Sequence, residues 1–308
     1  MTLAQTGTET ELSVVVPTYN ESKNIPEMVR RLNETLKDIS WELIFVDDSS
    51  PDGSADVVRS IAREDHRIRL ISRHNRRGLA SAVVEGALAA SADVVAVMDG
   101  DLQHDESVLP DMYYKVRDGE ADVVSASRFL REDGADGLSS ATRVAISNNG
   151  IKLSNFVFNL KMTDPLTGFF VVRRDVVRRA LPELSELGFK VLMDVIVSAK
   201  PRPRVLEVPF KFRERQHGES KLDNKVMYEF FLFFICHVEK LQLPNLCLLL
   251  FLLLCVLFRL LGVVFCALKR LHSSNLTSSF CDPLYVRLAR RSLVIRSGLF
   301  LKILFELF

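Results

Sequence analysis

Asp99-Gly100-Asp101 sets two carboxylates one small residue apart, directly after the apolar run 94–98. Carboxylate oxygens at that spacing can share a hard divalent ion, Mg2+ or Mn2+, and the glycine lets the backbone approach a ligand. An ion so held suits a nucleoside diphosphate, because it offsets the charge that gathers on a departing phosphate. Gln103 and His104 follow on the same turn. The plain alternative is an ordinary strand-to-loop turn, where Asp and Gly are common. Asp47-Asp48 ends a second apolar run and could accept hydrogen bonds from a base N–H or a ribose hydroxyl; alternatively it caps the helix that begins near Ser54. Tyr19, two residues past Pro17, could stack on a base or simply pack. Cations for phosphate are offered by Arg128 and by the polar stretch from Arg213 through Arg215 to Lys221, which reads equally as a solvated loop.

Such groups need a scaffold that brings distant turns together. Apolar runs at 12–16, 42–46, 68–71, 94–98 and 121–125 read as strands, and between them 22–38, 54–64, 79–90 and 106–117 carry helical spacing. Continuous apolar strands alternating with amphipathic helices predict an α/β domain with a mostly parallel, two-sided sheet. Ligands in such sheets bind beyond the C-terminal strand ends, here the segments 17–21, 47–52 and 99–101. Further on, the pattern predicts a helix at about 140–160, a strand end and helix start over 171–179, and an edge strand at 204–212. An apolar-faced helix at 221–241 suits a membrane interface. The run 246–268 is long enough to cross a hydrocarbon core of about 30 Å, with Arg259 costing on the order of 3 kcal/mol.

The 308 residues are 48% hydrophobic and 26% charged, which excludes a disordered, collagenous or coiled-coil chain. The net charge of +1 hides a split: residues 1–235 carry −5 and residues 236–308 carry +6. An acidic body argues against nucleic acid as its partner, and a basic, apolar tail argues for a membrane surface. The polar extension 1–11 lacks the features of a secretory signal, so the main domain is expected on the cytosolic face. All five cysteines lie from Cys236 onward, with neither CxxC nor zinc-finger spacing. No GxGxxG follows the first strand, and no Walker A, G-x-S-x-G or H-E-x-x-H sequence occurs, so P-loop, dinucleotide, serine-hydrolase and zincin chemistries lose their signatures.

Seven blocks occur in order: Val-Val-Val-Pro-Thr-Tyr-Asn-Glu (14–21), Val-Asp-Asp-Ser-Ser-Pro-Asp-Gly (46–53), Asn75 with Gly78-Leu79, Asp-Gly-Asp-Leu-Gln-His (99–104), Ser-Arg-Phe (127–129), Thr-Asp-Pro-Leu-Thr-Gly-Phe-Phe (163–170) and Arg-x-x-Gly-x-Ser-Lys-Leu (215–222). Over about 12–235 the chain resembles the dolichol-phosphate mannosyltransferase and bacterial polyprenyl-phosphate glycosyltransferase group of family 2 glycosyltransferases. The resemblance implies a GT-A fold over 12–220; the residues themselves predict a membrane-associated tail over 242–308, which departs from the two or more clean membrane helices of relatives. It implies that Pro17, Tyr19, Glu21 and Asp48 contact the nucleotide, beside Asp47 of the same strand end, and that Asp99 and Gly100 line the sugar-nucleotide. Asp99, Asp101 and Gln103 would ligate Mg2+ or Mn2+, Arg128 would meet the acceptor phosphate, and Arg215 and Lys221 would hold donor phosphates. Asp101 and Arg128 are the expected catalytic pair.

The expected reaction moves a hexose, mannose foremost, from GDP-mannose or UDP-glucose to a polyprenyl phosphate at a membrane, with inversion. Other readings are transfer of glucose, transfer to a sugar acceptor, and a non-catalytic membrane binder of nucleotide sugars. Asp105-Glu106 replace prolines often seen after Leu-Gln-His in the family. After about Gln242 the composition changes abruptly, as a truncated or frame-shifted end would produce.

Overall fold

Every residue of β1 (Leu12–Thr18) except Pro17 is buried, and the same holds for all of β2 (Trp41–Asp47). Strands apolar on both sides must be covered on both sides, and two sets of helices do so. The computed structural model describes residues 9–74, 78–131, 151–185, 188 and 190–213. The expected segments at 221–241 and 242–308, with the span at 246–268, lie outside the described residues, as do Arg215, Lys221 and most of 1–11 and 140–150. Among the described residues, no helix is long and apolar enough to cross a membrane.

The remaining strands are β3 (Ile68–Ser72), β4 (Val94–Val97), β5 (Val123–Ser127), β6 (Phe170–Arg173) and β7 (Val205–Pro209), in the sheet order β3-β2-β1-β4-β6-β5-β7. Four neighbouring pairs are parallel, and β6 runs antiparallel to both β4 and β5. The sheet is thus mostly parallel, as expected, with one reversal that apolar periodicity cannot reveal. β7 is the expected edge strand.

Side-chain alternation along β1 splits the core: Leu12, Val14 and Val16 join one cluster, Val15 the other. The first cluster is closed by α1 (Ile25–Thr35), α2 (Ser54–Glu64) and α4 (Leu109–Arg117). Ile25, Met28, Val29 and Leu32 form the buried stripe of α1, and prolines near the starts of α1 and α4 suit helix entry, where no amide is needed. The second cluster is closed by α3 (Leu79–Ala89) and the helices Arg174–Ala180 and Val191–Ser198. Gly86 lets α3 lie close on the sheet, since a Cβ there would run into Val15 and Val46.

At the N-terminal end of the sheet, buried Glu42 ties three strands. Its Oε1 accepts from Ser13 Oγ at 2.7 Å and from the Ser91 amide at 2.6 Å, while its Oε2 accepts from Arg69 at 2.7 Å. Burial pushes the Glu42 carboxyl up, but the bonds from Ser13, Arg69 and Ser91 together outweigh it and hold it below its ordinary 4.5. The native state therefore prefers the charged form, and the resulting stability is present above the unfolded value and lost as pH falls through the native one. Glu42→Gln should cost about 2–3 kcal/mol at pH 7, with the gap to the parent closing below pH ~4.5. Urea unfolding at pH 7 and pH 4 checks this; an equal gap at both would deny the charge its role.

Candidate active site

Three turns leave the C-terminal ends of β1, β2 and β4, and each contains a non-glycine residue in the left-handed region: Asn20 (φ 61°), Ser49 (φ 55°) and Leu102 (φ 62°). Such backbone costs on the order of 1–3 kcal/mol per residue and persists only where surrounding bonds dictate it. Here they do. The Asn20 amide donates to Ser50 Oγ and the Glu21 amide to Ser54 Oγ, both at 3.0 Å, and the Ser22 amide donates to Asp52 at 3.0 Å. The Glu21 side chain fills the space beside Gly100, its Cγ 3.3 Å from where a Cβ would stand. The first turn is therefore stitched to the second and packed on the third.

In the second turn Asp47 and Asp48 have different duties. Asp47 accepts from the amide and hydroxyl of Ser50, closing the turn. Asp48 accepts from Arg73 Nε at 2.6 Å and from the Gly78 amide at 2.9 Å. Arg73 is buried and donates further to Ser81 Oγ at 2.8 Å and to the Gly78 carbonyl at 2.9 Å. Neither aspartate caps α2. The carboxylate at that helix start is Asp52, which accepts from the Ser54 amide and hydroxyl at 3.0 and 2.6 Å. Burial raises the Asp52 carboxyl, but bonds from Ser54 and Ser22 outweigh it and lower it overall.

The third turn carries the acidic motif. The Asp99 amide donates to His104 Nδ1 at 3.1 Å, so the imidazole proton sits on Nε2, which faces Asp99 Oδ2 at 3.6 Å. His104 is buried, stacked on Phe169 at 5.0 Å and flanked by Phe210 and Phe212. Asp101 is buried and accepts from the Gln103 amide at 3.1 Å. Gln103 donates its amide nitrogen to the Arg213 carbonyl at 3.0 Å. Arg213 in turn reaches Glu106 at 2.6 Å and Asp105 at 2.8 Å, which gives the acids that replace the family prolines a partner. Burial works against the Arg213 charge, yet Glu106 and Asp105 raise its affinity for the proton.

Asp99 keeps its side chain 38% exposed, against a backbone with no side chain of its own: a Cβ on Gly168 would lie 3.0 and 3.1 Å from the two Asp99 carboxylate oxygens. The loop holding Gly168 also supplies Asp164, fully buried, whose two oxygens accept from Arg128 Nε at 2.7 Å and Nη2 at 2.9 Å. Burial alone would ease the proton off Arg128; the bond and charge of Asp164, with the charge of Asp99, hold it there more strongly. Arg73, Asp52, Asp164, His104 as a support and Gly168 were not singled out as functional by residue type; the block 163–170 was the only signal for two of them. Pro17, Tyr19, Glu21, Asp47, Asp48, Asp99, Gly100, Asp101, Gln103 and Arg128 all fall on this edge of the sheet.

The side chains of Asp99, Asp101 and Gln103 carry the hard oxygen atoms that Mg2+ or Mn2+ prefers, so their chemistry fits such an ion. Among the described residues, no group of three His, Cys, Asp or Glu could hold a metal. An ion here would draw the rest of its shell from ligand oxygens, as Mg2+ commonly does with phosphates.

The family model for glycosyl transferase family 2 matches residues 13–181. The dolichol-phosphate mannosyltransferase of Pyrococcus furiosus is 35% identical over 222 residues, covering 71% of this chain and 61% of that protein. That of Saccharomyces cerevisiae is 33% identical over 230 residues, covering 71% and 84%. Among solved structures, a mannosyltransferase from Pyrobaculum calidifontis in complex with GDP-Man and Mn2+ superposes with a TM-score of 0.51 at 19% identity, over 76% of this chain and 64% of that one. A glucosyl-3-phosphoglycerate synthase from Mycobacterium tuberculosis gives 0.51 at 18%, over 75% and 79%. The mixed α/β architecture is therefore GT-A-like, and by the match over 13–181 and these identities the chain belongs to glycosyl transferase family 2.

Proposed function

We propose that this glycosyltransferase moves mannose from a nucleotide sugar, GDP-mannose foremost, onto the phosphate of a polyprenyl lipid at a membrane surface. The observation that carries this reading is the meeting of Asp99, Asp101 and the half-buried cation Arg128 at one sheet edge, in a chain whose curated relatives bear the name dolichol-phosphate mannosyltransferase.

The turns after β1 and β2 receive the nucleotide. Tyr19 and Glu21 border the base and ribose, and Asp48, fixed by Arg73 and Gly78, presents its remaining lone pairs to them. Asp99 and Gly100 face the sugar and its phosphates. Asp99, Asp101 and Gln103 offer oxygen donors for Mg2+ or Mn2+, whose charge, when bound, offsets that of the departing diphosphate. Arg128 receives the acceptor phosphate through Nη1, which has no hydrogen-bond partner among the described residues. A phosphate monoester is already ionised at pH 7, so no general base is required; Asp164, buried and saturated by Arg128, is unsuited to be one. An acceptor oxygen forms its bond to the anomeric carbon as the bond to the donor phosphate breaks, in line and with inversion. The protein's part is orientation and charge placement. Arg215 and Lys221 are assigned by motif alone to the donor phosphates.

Detergent-solubilised protein offered GDP-mannose or UDP-glucose with a polyprenyl phosphate should give a glycolipid from GDP-mannose that EDTA suppresses. No product from either donor would refute the reading, and product from UDP-glucose alone would correct the sugar. Asp101→Ala should lower turnover by roughly 10³-fold, since several kcal/mol of charge stabilisation depend on the ion, with an unchanged far-UV spectrum. Retained metal-dependent activity would remove Asp101 from its role. Gly168→Ala should press the new methyl onto Asp99 and cut kcat by about tenfold or more, while the melting temperature moves little; parent-like kcat would mean that the Asp99 position is not critical.

A further inference from the structure

We infer that Glu207, on the edge strand β7, is a positioning residue for the transfer step, an inference that rests on the function proposed above. Its carboxylate accepts two consecutive backbone amides, Thr163 N–H at 2.7 Å and Asp164 N–H at 2.9 Å. The Thr163 hydroxyl is held in turn by Ser127 Oγ at 2.6 Å, one residue before Arg128. Both amides anchor the backbone from which the Asp164 side chain departs, and that side chain meets Arg128 through two parallel bonds. The same loop folds back through the Thr167 amide to the Asp164 carbonyl at 3.4 Å and leads to Gly168 against Asp99. A single carboxylate, outside the residues proposed to meet substrate or metal, thus supports both Arg128 and the Asp99 side of the Asp-Gly-Asp turn.

Packing does not do this job. Glu207 also lines a cavity of about 360 Å³ with Lys161, Arg202 and Leu206, so it is not enclosed by packing on every side. The two hydrogen bonds are what hold it. Their geometry also favours the residue type: each amide meets its own carboxylate oxygen, Thr163 N–H at Oε2 and Asp164 N–H at Oε1. Glutamine supplies one and turns an NH2 against the other amide, whereas aspartate keeps both acceptors on a shorter stem.

Glu207→Gln and Glu207→Asp in the full chain, assayed in detergent with GDP-mannose and a polyprenyl phosphate, test the idea. Glu207→Gln should lower kcat/KM for the lipid phosphate by about 10²-fold, leave the KM for GDP-mannose unchanged, and be partly rescued by Glu207→Asp. Glu207→Gln combined with Asp164→Asn should be no worse than Asp164→Asn alone, because both act through one unit. Parent-like turnover, a loss confined to the donor KM, or a loss that only tracks the folded fraction measured by circular dichroism would overturn the inference. Should the parent give no glycolipid, the functional reading fails separately, and crystal structures decide the positioning role. Arg128 displaced from Asp164 in Glu207→Gln supports it, and an unaltered pair and loop refutes it.

Discussion

A parallel sheet delivers the C-terminal ends of its strands to one edge, and loops that precede strands to the other. A block that lies before a strand reaches the ligand edge only if that strand is reversed. The antiparallel setting of β6 between β4 and β5 is that reversal, and the site depends on it. Because β6 begins at Phe170, the preceding 163–169 stretch arrives beside the ends of β4 and β5, where Gly168 meets Asp99, Phe169 supports His104 and Asp164 meets Arg128. Were β6 parallel to its neighbours, the same residues would fall at the Glu42 end of the sheet.

Burying charge at such an edge is costly unless each charge has a partner and its remaining bonds are made. Asp48 with Arg73, and Asp164 with Arg128, meet that condition with bonds between 2.6 and 2.9 Å. Pairs of this kind contribute little net stability compared with apolar packing, but breaking one leaves a buried charge alone. Their effect here is geometric. The left-handed backbone at Ser49 follows Asp47 and Asp48, and that at Leu102 lies between Asp101 and Gln103, so strain and polar anchoring coincide in the turns where chemistry is expected.

Much of this was legible in the residues. The apolar runs announced β1 to β5, the start of α2 at Ser54 and the edge character of β7, because each depends on a local pattern of burial. The acidic turn was visible because two carboxylates around a glycine are conspicuous. The direction of β6 was not, since a strand buried on both faces reads alike either way. The helix Val191–Ser198 escaped too: its valine- and isoleucine-rich run lacks a polar face because it packs into the second core cluster almost all round. Arg73, Asp164 and Glu207 are ordinary charged residues in sequence, and their importance comes from partners 25, 36 and 44 positions away.

Arg128 presents the sharpest question for the chemistry, since a cation already bonded to Asp164 looks poorly placed to receive a phosphate. On the proposed function the pairing would serve the step. An isolated guanidinium with so little exposed surface would lack compensation for its lost hydration. Asp164 supplies the compensation at folding and fixes the guanidinium plane through Nε and Nη2, leaving Nη1 as a donor of set direction. The cation then needs no reorganisation when an acceptor arrives, which is the condition under which fixed charges contribute most to lowering a barrier. The near-neutral pair also attracts the donor's diphosphate less than a bare cation would. In the proposed reaction, net positive charge would thereby be concentrated at an ion held by the acidic turn, and the Arg128 donor would be kept for the second phosphate.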